Sequence, residues 1–177
     1  MKEKAEESAE LGREPGRRGV RILSLDYGRT KIGLAFADSQ ARIAEPFDVM
    51  ERVNRNEDMR RLRELVRDEH VKRIVVGLPL RLDGTRGEMA DEVSGFAERV
   101  RKQVGVPVEL VDERLTSWEA ERILEEELGR RIKPPETQHG RRKIVRPGDG
   151  KYSVDAVAAM VILREYLSRE NDKEETE

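Results

Sequence analysis

The 177-residue sequence predicts an α/β domain built on a mixed five-stranded sheet flanked by helices. Three observations carry that prediction. Apolar runs of strand length alternate with amphipathic stretches of helix length. The first three strands follow one another across short connections, which makes them antiparallel. The last two are reached through helices, which makes them parallel, with right-handed crossovers.

The elements follow in order. Residues 20–25 form an apolar run, read as a buried strand, and Asp26-Tyr27-Gly28-Arg29-Thr30 reads as a turn. Residues 31–37 supply a second strand that closes a hairpin. Residues 44–50 supply a third, with Pro46 suited to a sheet edge. Met59, Leu62, Leu65 and Val66 share one face of a helix over 57–70, with Asn56 as its N-cap. A strand over 71–76 runs into Gly77-Leu78-Pro79. Met89, Val93, Phe96 and Val100 line a helix over 88–104, and Gly105 stops it. A strand over 106–111 ends in Asp112-Glu113-Arg114. A helix over 116–128 opens with a capping box, Thr116 and Glu119, beside Trp118, whose expected place is against the core. Residues 130–151 show no period. The last helix covers 153–168, with Ser153 as N-cap.

This length suits one domain with a substantial core. Residues 1–19 are charged and rich in Gly and Pro, and read as a disordered tail. The domain proper covers 20–168, and 169–177 form an acidic tail. Charged residues make up 41% of the chain, yet 35 Lys and Arg nearly cancel 37 Asp and Glu, so charge distribution rather than net charge must identify partners. There is no cysteine, which excludes disulfides, zinc–thiolate centres and thiol nucleophiles. His70 and His139, the two histidines, are far apart in sequence, which disfavours zinc or a Ser–His–Asp triad. Any metal should therefore be hard and oxygen-bound. With no signal-type leader and no apolar run of membrane length, the expected location is the cytoplasm.

Three acidic positions fall where this topology converges. Asp26 ends the first strand, Asp112 and Glu113 end the last, and Asp155 lies in the first turn of the final helix. In sheets of this kind the functional crevice lies beyond the carboxyl ends of the parallel strands. Phosphodiester hydrolysis by two divalent cations needs such a carboxylate set. Asp26 is the candidate bridge between two ions, with Glu113 and Asp155 each holding one. Taken singly, each acid has a plainer explanation. Asp-x-Gly is a common turn, Asp155 complements a helix dipole, and Asp112 and Glu113 can pair with Arg114.

Four segments, RILSLDYGRTKIGLAFAD, VVGLPLRLDGTRGEMADEV, VELVDERLTSWEAERIL and SVDAVAAMVILREYL, together resemble the YqgF (RuvX) family over about residues 21–167. The resemblance implies a ribonuclease-H-like fold and a nuclease of pre-16S rRNA in ribosome biogenesis, or a Holliday junction resolvase. It implies Mg²⁺ or Mn²⁺ as cofactor. Asp26, Glu113 and Asp155 match the family's metal-holding catalytic acids, and Lys31 and Arg114 match basic positions suited to phosphate. Other resolvases of this fold place an acid near the end of the strand that here ends Gly77-Leu78-Pro79. This chain has none there, so Glu113 must substitute from the neighbouring strand.

Residues 130–151 carry eight Lys or Arg, including Arg141, Arg142 and Lys143, against two acids. Such a segment is either a phosphate-backbone contact or a solvated loop. Gly84 and Gly87 mark a turn leading into the helix over 88–104, near the same edge. Expected partners are structured RNA, with pre-rRNA first, or branched DNA, for a monomer or a homodimer. A non-catalytic nucleic-acid-binding factor is the alternative from another class. The segment Leu25-Asp26-Tyr27-Gly28-Arg29-Thr30 also resembles the phosphate loop of the sugar-kinase and actin superfamily, but one short domain cannot enclose ATP as their two do.

Overall fold

The computed structural model describes residues 19–113 and 152–174. Strand β1 covers Arg21–Tyr27, β2 Lys31–Asp38 and β3 Ala44–Glu51. Helix α1 (Arg55–Asp68) leads to β4 (Arg73–Leu78), and α2 (Glu88–Val104) leads to β5 (Val108–Asp112). Helix α3 spans Val154–Glu174. The helix expected over 116–128 lies outside the described residues, as do Arg114, Trp118 and the basic stretch with Arg141, Arg142 and Lys143.

The sheet order is β3-β2-β1-β4-β5. Strands β1, β2 and β3 pair antiparallel, and β4 pairs parallel with both β1 and β5. The expected mixed five-stranded architecture is therefore present. Pro46 sits on the edge strand β3, where its missing N–H costs no ladder bond. A register shift opposite Leu34 and Ala35 lets Phe47 bulge and pack its ring edge-on against Phe36, with centroids 4.7 Å apart.

Alternation along the strands divides the core into two layers. Leu23, Leu25, Ile32, Leu34, Ile74 and Val76 face α1 and α2, meeting Met59, Leu62, Val93 and Phe96. Ile22, Ala35, Ala37, Val75 and Val111 face α3, meeting Val157, Met160, Ile162 and Leu163. Every second residue of a strand thus points at α3, and that period brings Asp26 to the same side.

Several boundaries differ from expectation. Asp26 and Tyr27 belong to β1 rather than to the turn, because their ladder with Ile32 and Gly33 continues to the hairpin end. The turn itself is closed by Gly28 N–H donating to the Lys31 carbonyl at 2.8 Å. Asn54, not Asn56, caps α1. Its extended backbone lets Oδ1 accept from the Asn56 and Glu57 amides at 3.1 and 3.0 Å. Helix α3 runs six residues past Ser168, since 169–174 contain no Gly or Pro and a Glu165–Arg169 pair at 2.7 Å ties that turn to the preceding one.

Candidate active site

The carboxyl ends of β1, β4 and β5 lie at the same end of the sheet, and the first turn of α3 reaches that end. Two glycines make this approach possible. Gly33 lies directly opposite Asp26 across the β1–β2 ladder. A Cβ built on Gly33 would overlap the main-chain carbonyl of Asp155, so α3 rests its first turn on bare backbone beside Asp26. Gly77 plays the matching part on β4. A Cβ there would overlap Oε1 of Glu113 and press on Cδ1 of Ile162. Glu113 follows β5 by one residue and turns its carboxylate across β4 into the space above Gly77.

Asp155 is set by its cap. The Ser153 Oγ accepts from the Asp155 amide and donates to Asp155 Oδ2, each at 3.3 Å, and the Ser153 carbonyl accepts from Val157 N–H at 3.1 Å. The expected N-cap is therefore present, and it fixes which residue of α3 reaches the sheet end.

Electrostatics ties the acids together. The Asp26 carboxyl is pushed from 3.8 up to about 6, by burial first and then by repulsion from Asp155. The Glu113 carboxyl is pushed from 4.5 up to about 7, by burial, then by repulsion from Asp26 and from Asp112. Asp26 thus interacts with both other candidate acids. Among the described residues no group of three or more His, Asp or Glu side chains is already placed to hold a metal ion. The acids are arranged instead as two coupled pairs that share Asp26. The donor set fits a hard divalent cation. It offers only carboxylate oxygens on a sheet end and a helix turn, and their mutual repulsion is the kind a nearby dication relieves.

Lys31 opens β2 on the same face as Gly33 and is exposed to solvent near Asp26. Sequence reasoning grouped Asp112 with Glu113 without giving it a role; here it adds to the repulsion on Glu113. Sequence reasoning also missed a brace behind the hairpin. Arg52 Nη1 donates to Tyr27 Oη at 2.7 Å and to the Gly28 and Arg29 carbonyls at 3.2 and 3.3 Å. Its Nε pairs with the buried Asp58 at 3.1 Å, and Asp58 Oδ1 accepts from Val53 N–H at 3.0 Å. Only the proximity of Arg52 and Asp58 to the α1 cap hinted at this.

Residues 20–169 match the family model described as RuvX, Holliday junction resolvase. The chain belongs to the RuvX family. It is 43% identical over 150 residues to a protein of Anaeromyxobacter dehalogenans named "Putative pre-16S rRNA nuclease", covering 85% of this chain and 98% of that one. It is 38% identical over 146 residues to a protein of Chloroflexus aurantiacus with the same name, covering 82% of this chain and 85% of that one. Among solved structures, T. thermophilus RuvC in complex with a Holliday junction substrate superposes with a TM-score of 0.50 at 15% identity, over 86% of this chain and 96% of that one. At that identity the likeness concerns the fold, and it agrees with the ribonuclease-H-like architecture expected of the RuvX family. Among the described residues no helix is long and apolar enough to cross a membrane.

Proposed function

We propose that this RuvX-family chain is a divalent-metal-dependent nuclease that hydrolyses phosphodiester bonds in structured nucleic acid, with precursor 16S rRNA in the cytoplasm as its substrate. The observation that carries this reading is Asp26, coupled on one side to Asp155 and on the other to Glu113 at the carboxyl end of the sheet. The names of its relatives supply the substrate class.

Asp26, Glu113 and Asp155 would hold the Mg²⁺ or Mn²⁺. When bound, such an ion supplies positive charge to the phosphoryl oxygens and lowers the pKa of a water. The remaining work belongs to the chain. Asp26 and Asp155 place negative oxygens on rigid elements, one on a central strand and one on a capped helix turn. Burial and the nearby Asp26 and Asp112 raise the Glu113 carboxyl to about 7, so a cation held there would compete with a proton near neutral pH. The Lys31 ammonium, on the Asp26 face of the hairpin, meets a phosphate oxygen. Arg114, Arg141, Arg142 and Lys143 are the further candidates for phosphate contact, a source of sequence-independent and salt-sensitive affinity.

A Holliday junction resolvase is the second reading, favoured by the description of the family model. It calls for a two-fold homodimer, since two symmetric strands are cut. A monomer suffices for trimming rRNA. The test is a cleavage assay with Mn²⁺ on precursor 16S rRNA, linear duplex and a four-way junction, beside the folded Asp26→Asn protein. Cleavage of the precursor by the wild type alone supports the proposal. Selective cleavage of the junction moves the substrate to DNA. Binding without cleavage on every substrate replaces the enzyme with a binding factor.

A further inference from the structure

The loop that leaves β4 beside Glu113 carries a feature the carboxylate site leaves unused. Leu82 is 95% exposed, more than any other large hydrophobic residue among those described. It sits on a rigid tip. Arg81 N–H donates to the Thr85 carbonyl at 2.9 Å, and Gly84 N–H donates to the Arg81 carbonyl at 2.8 Å. The Asp83 carboxylate accepts from the Thr85 amide and hydroxyl at 2.9 and 2.7 Å. Gly84 takes the left-handed conformation the turn requires, with φ of 85°. Below the tip, Leu80 and Arg86 form an antiparallel bridge, and Arg86 is anchored to α2 by Asp91 at 3.3 Å and by the Ser94 hydroxyl.

A lone exposed leucine on a surface is ordinary. This one is held out from the molecule by a bonded turn, and its position is not arbitrary. It lies four positions past Leu78, the last residue of β4, so its Cα is within about 14 Å of the strand end. The Glu113 carboxylate lies over Gly77, the residue before Leu78, so the loop starts beside it. Next to Leu82, Arg81 is exposed, and no described carboxylate pairs with it. A rigid apolar point flanked by a free cation matches the chemistry of a stacked, phosphate-bordered helix. Apolar side chains inserted at a base step unstack it and kink the strand.

We infer that Leu82 is a wedge that enters the base stack of the bound nucleic acid, with Arg81 on the neighbouring phosphate, so that the kinked strand is presented to Asp26 and Glu113. The inference rests on the nuclease reading and adds the means by which that site selects structured over uniform substrate.

The experiment uses full-length Asp26→Asn protein, which keeps the substrate whole, and stem-loop RNA and four-way-junction DNA carrying 2-aminopurine at successive positions near the bulge or branch. Anisotropy reports binding, and all fluorescence comparisons are made at saturation. Binding should raise 2-aminopurine fluorescence at one position, adding Leu82→Ser should abolish that rise, and adding Leu82→Met should restore it. Because Leu82 is solvent-exposed, circular dichroism should be unchanged throughout. Saturated binding with no fluorescence rise, or an equal rise in the Leu82→Ser protein, overturns the wedge while leaving the nuclease reading to its own cleavage assay. Failure of the parent protein to bind either nucleic acid overturns both.

Discussion

The carboxylate of Glu113 occupies the space that a side chain at Gly77 would fill. The end of β4 carries no acid of its own. The strand contributes an empty position, and the neighbouring strand's end fills it. Replacing Gly77 by Ala should displace Glu113 and Ile162, because a methyl group overlaps both. We expect a stability loss of about 1–3 kcal/mol, as for other overpacked sites. Cleavage should fall much further than unfolding explains. Thermal melts and single-turnover rates on the same preparation separate the two effects.

Gly33 is the second contact of this kind. Gly33→Ala should lift the first turn of α3 from β2, since the opposing atom is backbone rather than a yielding side chain. Asp155 would move with it. Weaker Mn²⁺ binding and slower cleavage, with circular dichroism retained, is the expected result. Unchanged metal affinity would show that the position of Asp155 does not depend on this close approach.

The raised carboxyls make stability depend on pH in a stated direction. Asp26 and Glu113 titrate at 3.8 and 4.5 when unperturbed and at about 6 and about 7 in the fold. Between those limits the native protein holds protons that the unfolded chain has released. Stability of the metal-free protein therefore falls as pH rises through that window. Asp26→Asn removes a buried charge and its repulsion with Asp155, so at neutral pH it should stabilise the metal-free chain by about 1–2 kcal/mol while abolishing cleavage. Urea melts of both proteins in EDTA, across the window, check the sign. A parallel pH dependence in wild type and variant would contradict it.

Arg52 and Asp58 form a largely buried pair, with side chains 16% and 1% exposed. Asp58→Ala should cost about 3–5 kcal/mol, because it leaves a largely buried guanidinium without its carboxylate. It also strips the acceptor from Val53 N–H and loosens the support of Tyr27, Gly28 and Arg29. Chemical denaturation provides the stability value. A loss below about 1 kcal/mol would place this pair with ordinary surface ion pairs.

Much of this molecule was legible in its sequence because periodicity survives tertiary packing. Met59, Leu62 and Val66 repeat at helical spacing and are buried on one face of α1. Glu88 and Val104 bound α2 where the apolar stripe and Gly105 placed them, and Gly105 adopts the left-handed cap. The strand count followed from the apolar runs, and the pairing sense from the lengths of the connections. Asp26 was harder to place. Its Asp-Tyr-Gly setting suggests a turn, whereas the ladder opposite Gly33 keeps it in β1. The roles of Gly33 and Gly77 depend on what crosses above a strand, which no local pattern records. The Arg52–Asp58 brace was hidden for another reason: in a chain with 41% charged residues, two more charges near a helix cap carry no signal until their burial is known.

In the proposed site Asp26, Glu113 and Asp155 hold divalent metal together, with Asp26 shared. Mn²⁺ titration monitored by electron paramagnetic resonance, with wild type, Asp26→Asn, Glu113→Gln and Asp155→Asn proteins side by side, tests this most directly. Saturable binding that is lost in Asp26→Asn and weakened in each of the other two is the predicted result. Wild-type affinity in all three variants, with the fold intact, would contradict a shared metal site at the end of this sheet.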